Sequence, residues 1–209
     1  MRFLTKNIKI IVIAYATLLV SILFHEWGHS ITAFIFGIKS NPFDIQYSYK
    51  PFFMGISENV NCNLAATLPS WQAILIAFAG LLVNFIFALL SFIILRFSYK
   101  KISKWASLIF YCLFFWNVND WLGYMVVRNI FPRDDIANMI TFGFPHAALL
   151  AIGLITSAVF LYMLFYSANK ILFDTFDLDY KNQKKILRAI IITIIVTQLV
   201  ILYNSLFMY

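Results

Sequence analysis

Apolar residues in this chain run together in long blocks instead of alternating with polar ones. Five blocks stand out: about Ile8 to Phe36, Trp71 to Leu95, Trp105 to Val127, Ala147 to Tyr166 and Ile186 to Phe207. Each is long enough to cross a hydrocarbon core of roughly 30 Å as a helix. The stretch from Gly37 to Ser70 has another pattern. Its Phe43-Asp-Ile-Gln-Tyr-Ser-Tyr49 run alternates apolar and polar residues, as a strand does, and Phe52 to Ser57 reads as a second strand with Lys50-Pro51 at the turn. The expected fold is an all-α polytopic membrane protein. It has about five transmembrane helices, with a small extracytoplasmic β-hairpin between spans one and two.

Composition strengthens the membrane reading. With 62% apolar and only 12% charged residues, the chain has too little polar surface for a soluble domain of its length. No charged n-region followed by a short apolar segment and a small-residue cleavage site is evident, so the first block is expected to be retained. Cys62 and Cys112 belong to no CxxC motif, and neither a disulfide nor a thiolate metal site is expected.

The net charge of +7 would suggest a nucleic-acid partner in a soluble protein. Here the cations gather between the apolar blocks, so topology and lipid headgroups account for them and no nucleic-acid partner is expected. Arg2, Lys6 and Lys9 precede the first span, and Arg96, Lys100, Lys101 and Lys104 separate the second from the third. Lys170, Lys181, Lys184, Lys185 and Arg188 separate the fourth from the fifth. Only Lys39, Lys50, Arg128 and Arg133 fall on the opposite side. The positive-inside rule then puts the N-terminus in the cytoplasm and the C-terminus outside.

The second half of the first span contains His25-Glu26-Trp27-Gly28-His29. On a helix, histidines at i and i+4 share one face, one turn apart, and both can bind one tetrahedral Zn²⁺. Glu26, beside the first histidine, is placed to take a proton from a metal-activated water. With three histidines and two glutamates in the whole chain, a shuffled sequence would carry this pattern roughly once in two thousand chains. Ionisable groups inside a spanning helix are costly and mark function by default. Gly28 allows a close approach, either of substrate backbone or of a packed helix.

Beyond the strand-like loop comes Phe78-Ala-Gly-Leu-Leu-Val-Asn84-Phe-Ile-Phe-Ala. With the HExxH motif inside a span, this segment resembles the site-2 protease family of intramembrane metalloproteases and its AGPxxNxxxA helix. The family's proline is replaced by leucine, and Gly80 and Asn84 are the matching positions. The resemblance covers roughly residues 10 to 140. It implies a single membrane metalloprotease domain over 1–209, with a catalytic core at about 8–140 and two further helices at 146–207. It also implies Zn²⁺ as cofactor, a transmembrane protein as substrate and Asn84 near the substrate or the metal shell. No PDZ-like or CBS-like regulatory extension is recognisable.

The family completes its zinc site with an aspartate from a later span, usually in an NxxPxxxxDG sequence, and two residues compete for that place here. Asp120 lies in a polar cluster within the third span. It is 16 residues beyond Lys104, as His25 is 16 beyond Lys9, so both sit at a similar depth of about 24 Å. Asp135 follows Asn129 and Pro132, which match the start of the family motif, but it arrives early and its segment would have to re-enter between helices. The bland alternatives are an outer loop capping a helix for Asp135 and a buried acid paired with Arg128 or the asparagines for Asp120. Depth favours Asp120; His146, at the mouth of the fourth span, ranks third.

The expected activity is therefore hydrolysis of peptide bonds in membrane-embedded substrates, with Glu26 as general base and His25, His29 and an aspartate on zinc. Two rivals share the motif. One is a membrane zinc hydrolase acting on a lipid or small amide, and the other a non-catalytic membrane subunit that binds metal structurally.

Overall fold

The computed structural model describes residues 2–50 and 53–207. The chain opens with one helix, α1, from Arg2 to Ile35. A short antiparallel hairpin follows, β1 (Gln46–Lys50) and β2 (Phe53–Ser57), in the register Gln46↔Ser57 to Lys50↔Phe53. The expected first strand began three residues earlier. There the Asn41 side chain accepts a hydrogen bond from the Phe43 N–H at 3.0 Å, and this local turn holds the chain out of the sheet. Pro51 and Phe52, expected at the turn and second strand, lie outside the described residues.

A single turn, α2 (Cys62–Ala65), leads into the long α3 (Ser70–Ser98). After a short loop, the Ser103 hydroxyl caps α4 (Lys104–Leu122) by accepting from the Ala106 N–H. This helix widens into a π turn at Gly123–Val127 and ends in α5 (Arg128–Ile130). The short α6 spans Asp134–Thr141. Then α7 (His146–Tyr162) passes through a second π turn, Met163–Ala168, into α8 (Asn169–Phe176), and α9 covers Tyr180–Phe207.

Among the described residues, four helical stretches are long and apolar enough to span a membrane: Ile8–Ile35, Ser70–Ser98, His146–Phe176 and Tyr180–Phe207. The expected third span is helical as α4 but falls outside that group, because Asn117, Asn119 and Asp120 interrupt its apolar run. The His146–Phe176 stretch runs ten residues past the expected Tyr166, because the π turn continues the hydrogen-bonded backbone into the charged α8. Large apolar side chains such as Ile155, Val159, Ile192 and Leu199 are exposed on the outer helices, which is the expected surface in lipid.

Helices α1, α3 and α4 form the packed centre. Gly28 lets α1 reach α3 closely, since a Cβ there would stand 2.7 Å from the Ala79 carbonyl oxygen. Polar side chains tie α4 to α1. The Trp116 indole donates to the Ala14 carbonyl at 2.8 Å, and the Asn117 amide donates to Ser21 Oγ at 2.9 Å. Trp121 reaches Thr156 of α7 at 2.9 Å, and Phe114 and Phe160 fill the space between helices without exposure to solvent.

The last helix is held differently. Thr197 and Gln198 both bond Asn119 of α4, at 2.9 and 3.0 Å to its side-chain oxygen. Arg133 donates to the Asn204 carbonyl, and Ile201 fits over Gly123. Ile190 is its one buried residue among those described.

Candidate metal centre

Because α1 runs unbroken through the motif, His25 and His29 project side by side, with ring centroids 4.8 Å apart and their Nε2 atoms 3.1 Å apart. The Nδ1–H of His29 donates to the Ile76 carbonyl of α3 at 2.7 Å. That bond fixes the tautomer and leaves Nε2 as a free donor for a metal.

Asp135, in the first turn of α6, brings its Oδ2 to 3.3 Å from both Nε2 atoms. The turn before it makes this possible. Asp134 holds a left-handed φ of 49°, a conformation that aspartate tolerates better than most residues. Its carboxylate pairs with Arg128 at 2.8 Å across the loop.

These three side chains fit a zinc ion. Donors 2.0–2.1 Å from a tetrahedral zinc stand roughly 3.3–3.4 Å apart, close to the 3.1 and 3.3 Å found here. Asp135 Oδ2 is also buried without a hydrogen-bond partner, as a ligand atom awaiting a cation would be. Gly80 of α3 also lies against the pair. A Cβ there would lie 2.7 Å from His25 Nε2 and closer still to His29 Nε2.

Glu26 opens onto the same cavity, of about 380 Å³, and its Oε2 accepts the Glu58 N–H at 3.0 Å. Glu58 directly follows β2, and Lys39 anchors it by donating to its carbonyl and, at 2.6 Å, to that of Asp44. The hairpin is thus pinned to the end of α1.

The model of the Peptidase M50 family matches residues 13–200. The chain belongs to peptidase family M50. No curated protein and no solved structure gave a match. The M50 match reaches past residue 140, where recognisable motifs end, and takes in α7, α8 and most of α9. M50 is the site-2 protease family of zinc-dependent membrane metallopeptidases, and the His25, His29 and Asp135 group could hold such an ion.

Within this M50 site the other sequence candidates take distinct places. Asp120 is not beside the Nε2 pair. Its Oδ2 lies 3.8 Å from Nδ1 on the opposite edge of His25, and accepts from the Asn84 amide. Asn84 is buried, with its Nδ2 also 3.0 Å from His25 Nδ1 and its Oδ1 without a partner. His146 lies apart from the cluster and bonds the Asn129 carbonyl at 2.8 Å.

Of the residues lining the M50 cavity, Glu58 and Tyr124 were not singled out from the sequence, and Arg128 was tied to the site only as a partner for a buried Asp120. The π turn brings the Tyr124 ring to 5.2 Å from that of His25, and Arg128 lies over the same tyrosine at 4.0 Å. Glu58 left a signal, being the second of only two glutamates. Tyr124 left none, since its placement depends on the π turn.

Proposed function

We propose that this M50 chain is an intramembrane zinc protease that hydrolyses peptide bonds of membrane-embedded protein substrates. The reading rests on one observation above all: a single carboxylate oxygen of Asp135 stands 3.3 Å from both histidine Nε2 atoms, in the cavity that Glu26 shares. His25, His29 and Asp135 would hold the ion. Zinc, when bound, supplies Lewis acidity toward the scissile carbonyl and toward water.

The protein's own groups do the rest. Glu26 takes the proton of the attacking water and then returns it to the leaving amide nitrogen. The Glu58 N–H orients the Glu26 carboxylate meanwhile. Ligation through Nε2 requires a proton on His25 Nδ1 and an acceptor to receive it. Asp120 and, after rotation of its amide, Asn84 are the acceptors on that edge, so Asp120 serves as an orienting partner and not as the ligand.

A substrate helix must unwind locally, because its own hydrogen bonds shield the carbonyls. The two-stranded hairpin beside the cavity leaves outer edges on which an unwound segment can pair. Twelve of sixteen cations lie on one side, which supports a cytoplasmic N-terminus and a metal centre nearer the outer face.

Glu26→Gln decides the matter. The variant should keep its zinc and lose roughly 10²–10⁴-fold in cleavage of a labelled transmembrane peptide. Full cleavage by this variant would refute the mechanism. Cleavage of labelled lipids with no turnover of peptides would move the activity to the rival class of substrate.

A further inference from the structure

At the opposite end of the bundle, α3 and the following loop meet the second π turn and α8 around two adjoining cavities of about 520 and 280 Å³. Both are lined by Tyr99 and Asp174. The smaller is lined by Arg96 from the last turn of α3 and Lys170 from α8, with the hydroxyl-bearing residues Tyr99, Tyr166 and Ser167. Lys100 and Lys104 border the larger.

The charges here are unbalanced. Lys104 is matched by Asp177 at 3.0 Å. Among the described residues, no carboxylate lies within ion-pair distance of Arg96, Lys100 or Lys170. Topology alone explains cations at helix ends. It does not explain why cations from separate helices converge on one hollow together with three hydroxyl groups. The π turn matters as well, because it carries Tyr166 and Ser167 into the lining, and such turns occur often at functional sites.

The setting defines the ligand. The hollow lies where apolar helices end, beside the exposed side chains of Ile93 and Phe97 on α3 and Val159 and Tyr162 on α7. Guanidinium, ammonium and hydroxyl donors suit a phosphodiester, and basic pockets between spans on this side of membrane proteins bind anionic headgroups. Asp174 adds an acceptor for a headgroup hydroxyl. We infer that Arg96, Lys170, Tyr99, Tyr166 and Ser167 form a binding site for the headgroup of an anionic phospholipid of the phosphatidylglycerol type. The site is separate from the metal centre and owes nothing to its chemistry.

The test uses the full chain in phosphatidylcholine nanodiscs titrated with phosphatidylglycerol, with retained lipid counted by native mass spectrometry. The unaltered protein should retain phosphatidylglycerol in preference to phosphatidylcholine. The Arg96→Gln/Lys170→Gln pair should weaken that retention roughly thirtyfold, at about 1 kcal/mol per cation. Lys181→Gln/Lys185→Gln, which removes two cations on the same side but outside the hollow, should leave it unchanged. Tyr166→Phe/Ser167→Ala, which keeps every charge, should weaken it to a smaller extent. Equal losses in both lysine-containing pairs would overturn the site in favour of diffuse attraction. Displacement of the lipid by inorganic phosphate alone, or no preference over phosphatidylcholine, would overturn the assignment to a lipid.

Discussion

Gly80 turns its bare Cα toward His25, and a methyl group placed there would stand 2.7 Å from the Nε2 of that histidine. The glycine thus keeps clear the space in which the two imidazoles converge. Gly80→Ala should lower zinc affinity by more than the roughly tenfold to hundredfold that loss of an outer partner costs. Competition with a chromogenic chelator measures this, and an unchanged affinity would show that the space is not where metal binds.

Asp135 and Asp120 should separate cleanly by metal content. Asp135→Ala is expected to purify without zinc, whereas Asp120→Asn should retain it with affinity reduced about tenfold to hundredfold. The reverse order would return the ligand role to Asp120.

Arg128 is held between the Tyr124 ring at 4.0 Å and the Asp134 carboxylate at 2.8 Å. Arg128→Ala should free the turn that delivers Asp135 and weaken zinc binding by about tenfold. Lysine keeps the charge but not the planar stack, so Arg128→Lys should fall between the two. Isothermal titration of the apo-protein with zinc distinguishes the three.

Gly28→Ala tests the packing of α1 on α3. The added methyl would press on the Ala79 carbonyl, and overpacking of this kind costs about 1–3 kcal/mol. Thermal unfolding in detergent should show the loss. A variant as stable as the parent would mean that the two helices can move apart freely.

What could be read from the sequence follows the range of each interaction. His25 and His29 are four residues apart on one helix, so their spacing alone places both nitrogens. The apolar blocks likewise declare their helices, because continuous apolarity needs no tertiary context. Asp135 depends on longer-range facts: the left-handed Asp134, the Arg128 ion pair and the packing of α6 against α3. Depth arithmetic gave Asp120 the right height beside His25 and nothing about azimuth. The residue does reach His25, but at Nδ1 instead of Nε2. The π turn that orients Tyr124 has no sequence signature, so nothing marked the tyrosine, and Arg128 forms its ion pair with Asp134 instead of the Asp120 that its position suggested.

The attachment of α9 has a consequence for how the molecule is built. Its apolar flank costs nothing in lipid, so its hold on the body rests on Asn119, on the Asn204 carbonyl and on the fit over Gly123. Interhelical hydrogen bonds in membranes contribute only about 0.6 kcal/mol each on average. The docking of this helix therefore rests on a few weak polar contacts and a small buried patch around Ile190. Because Asn119 adjoins Asp120, those contacts reach to one residue from the carboxylate beside His25.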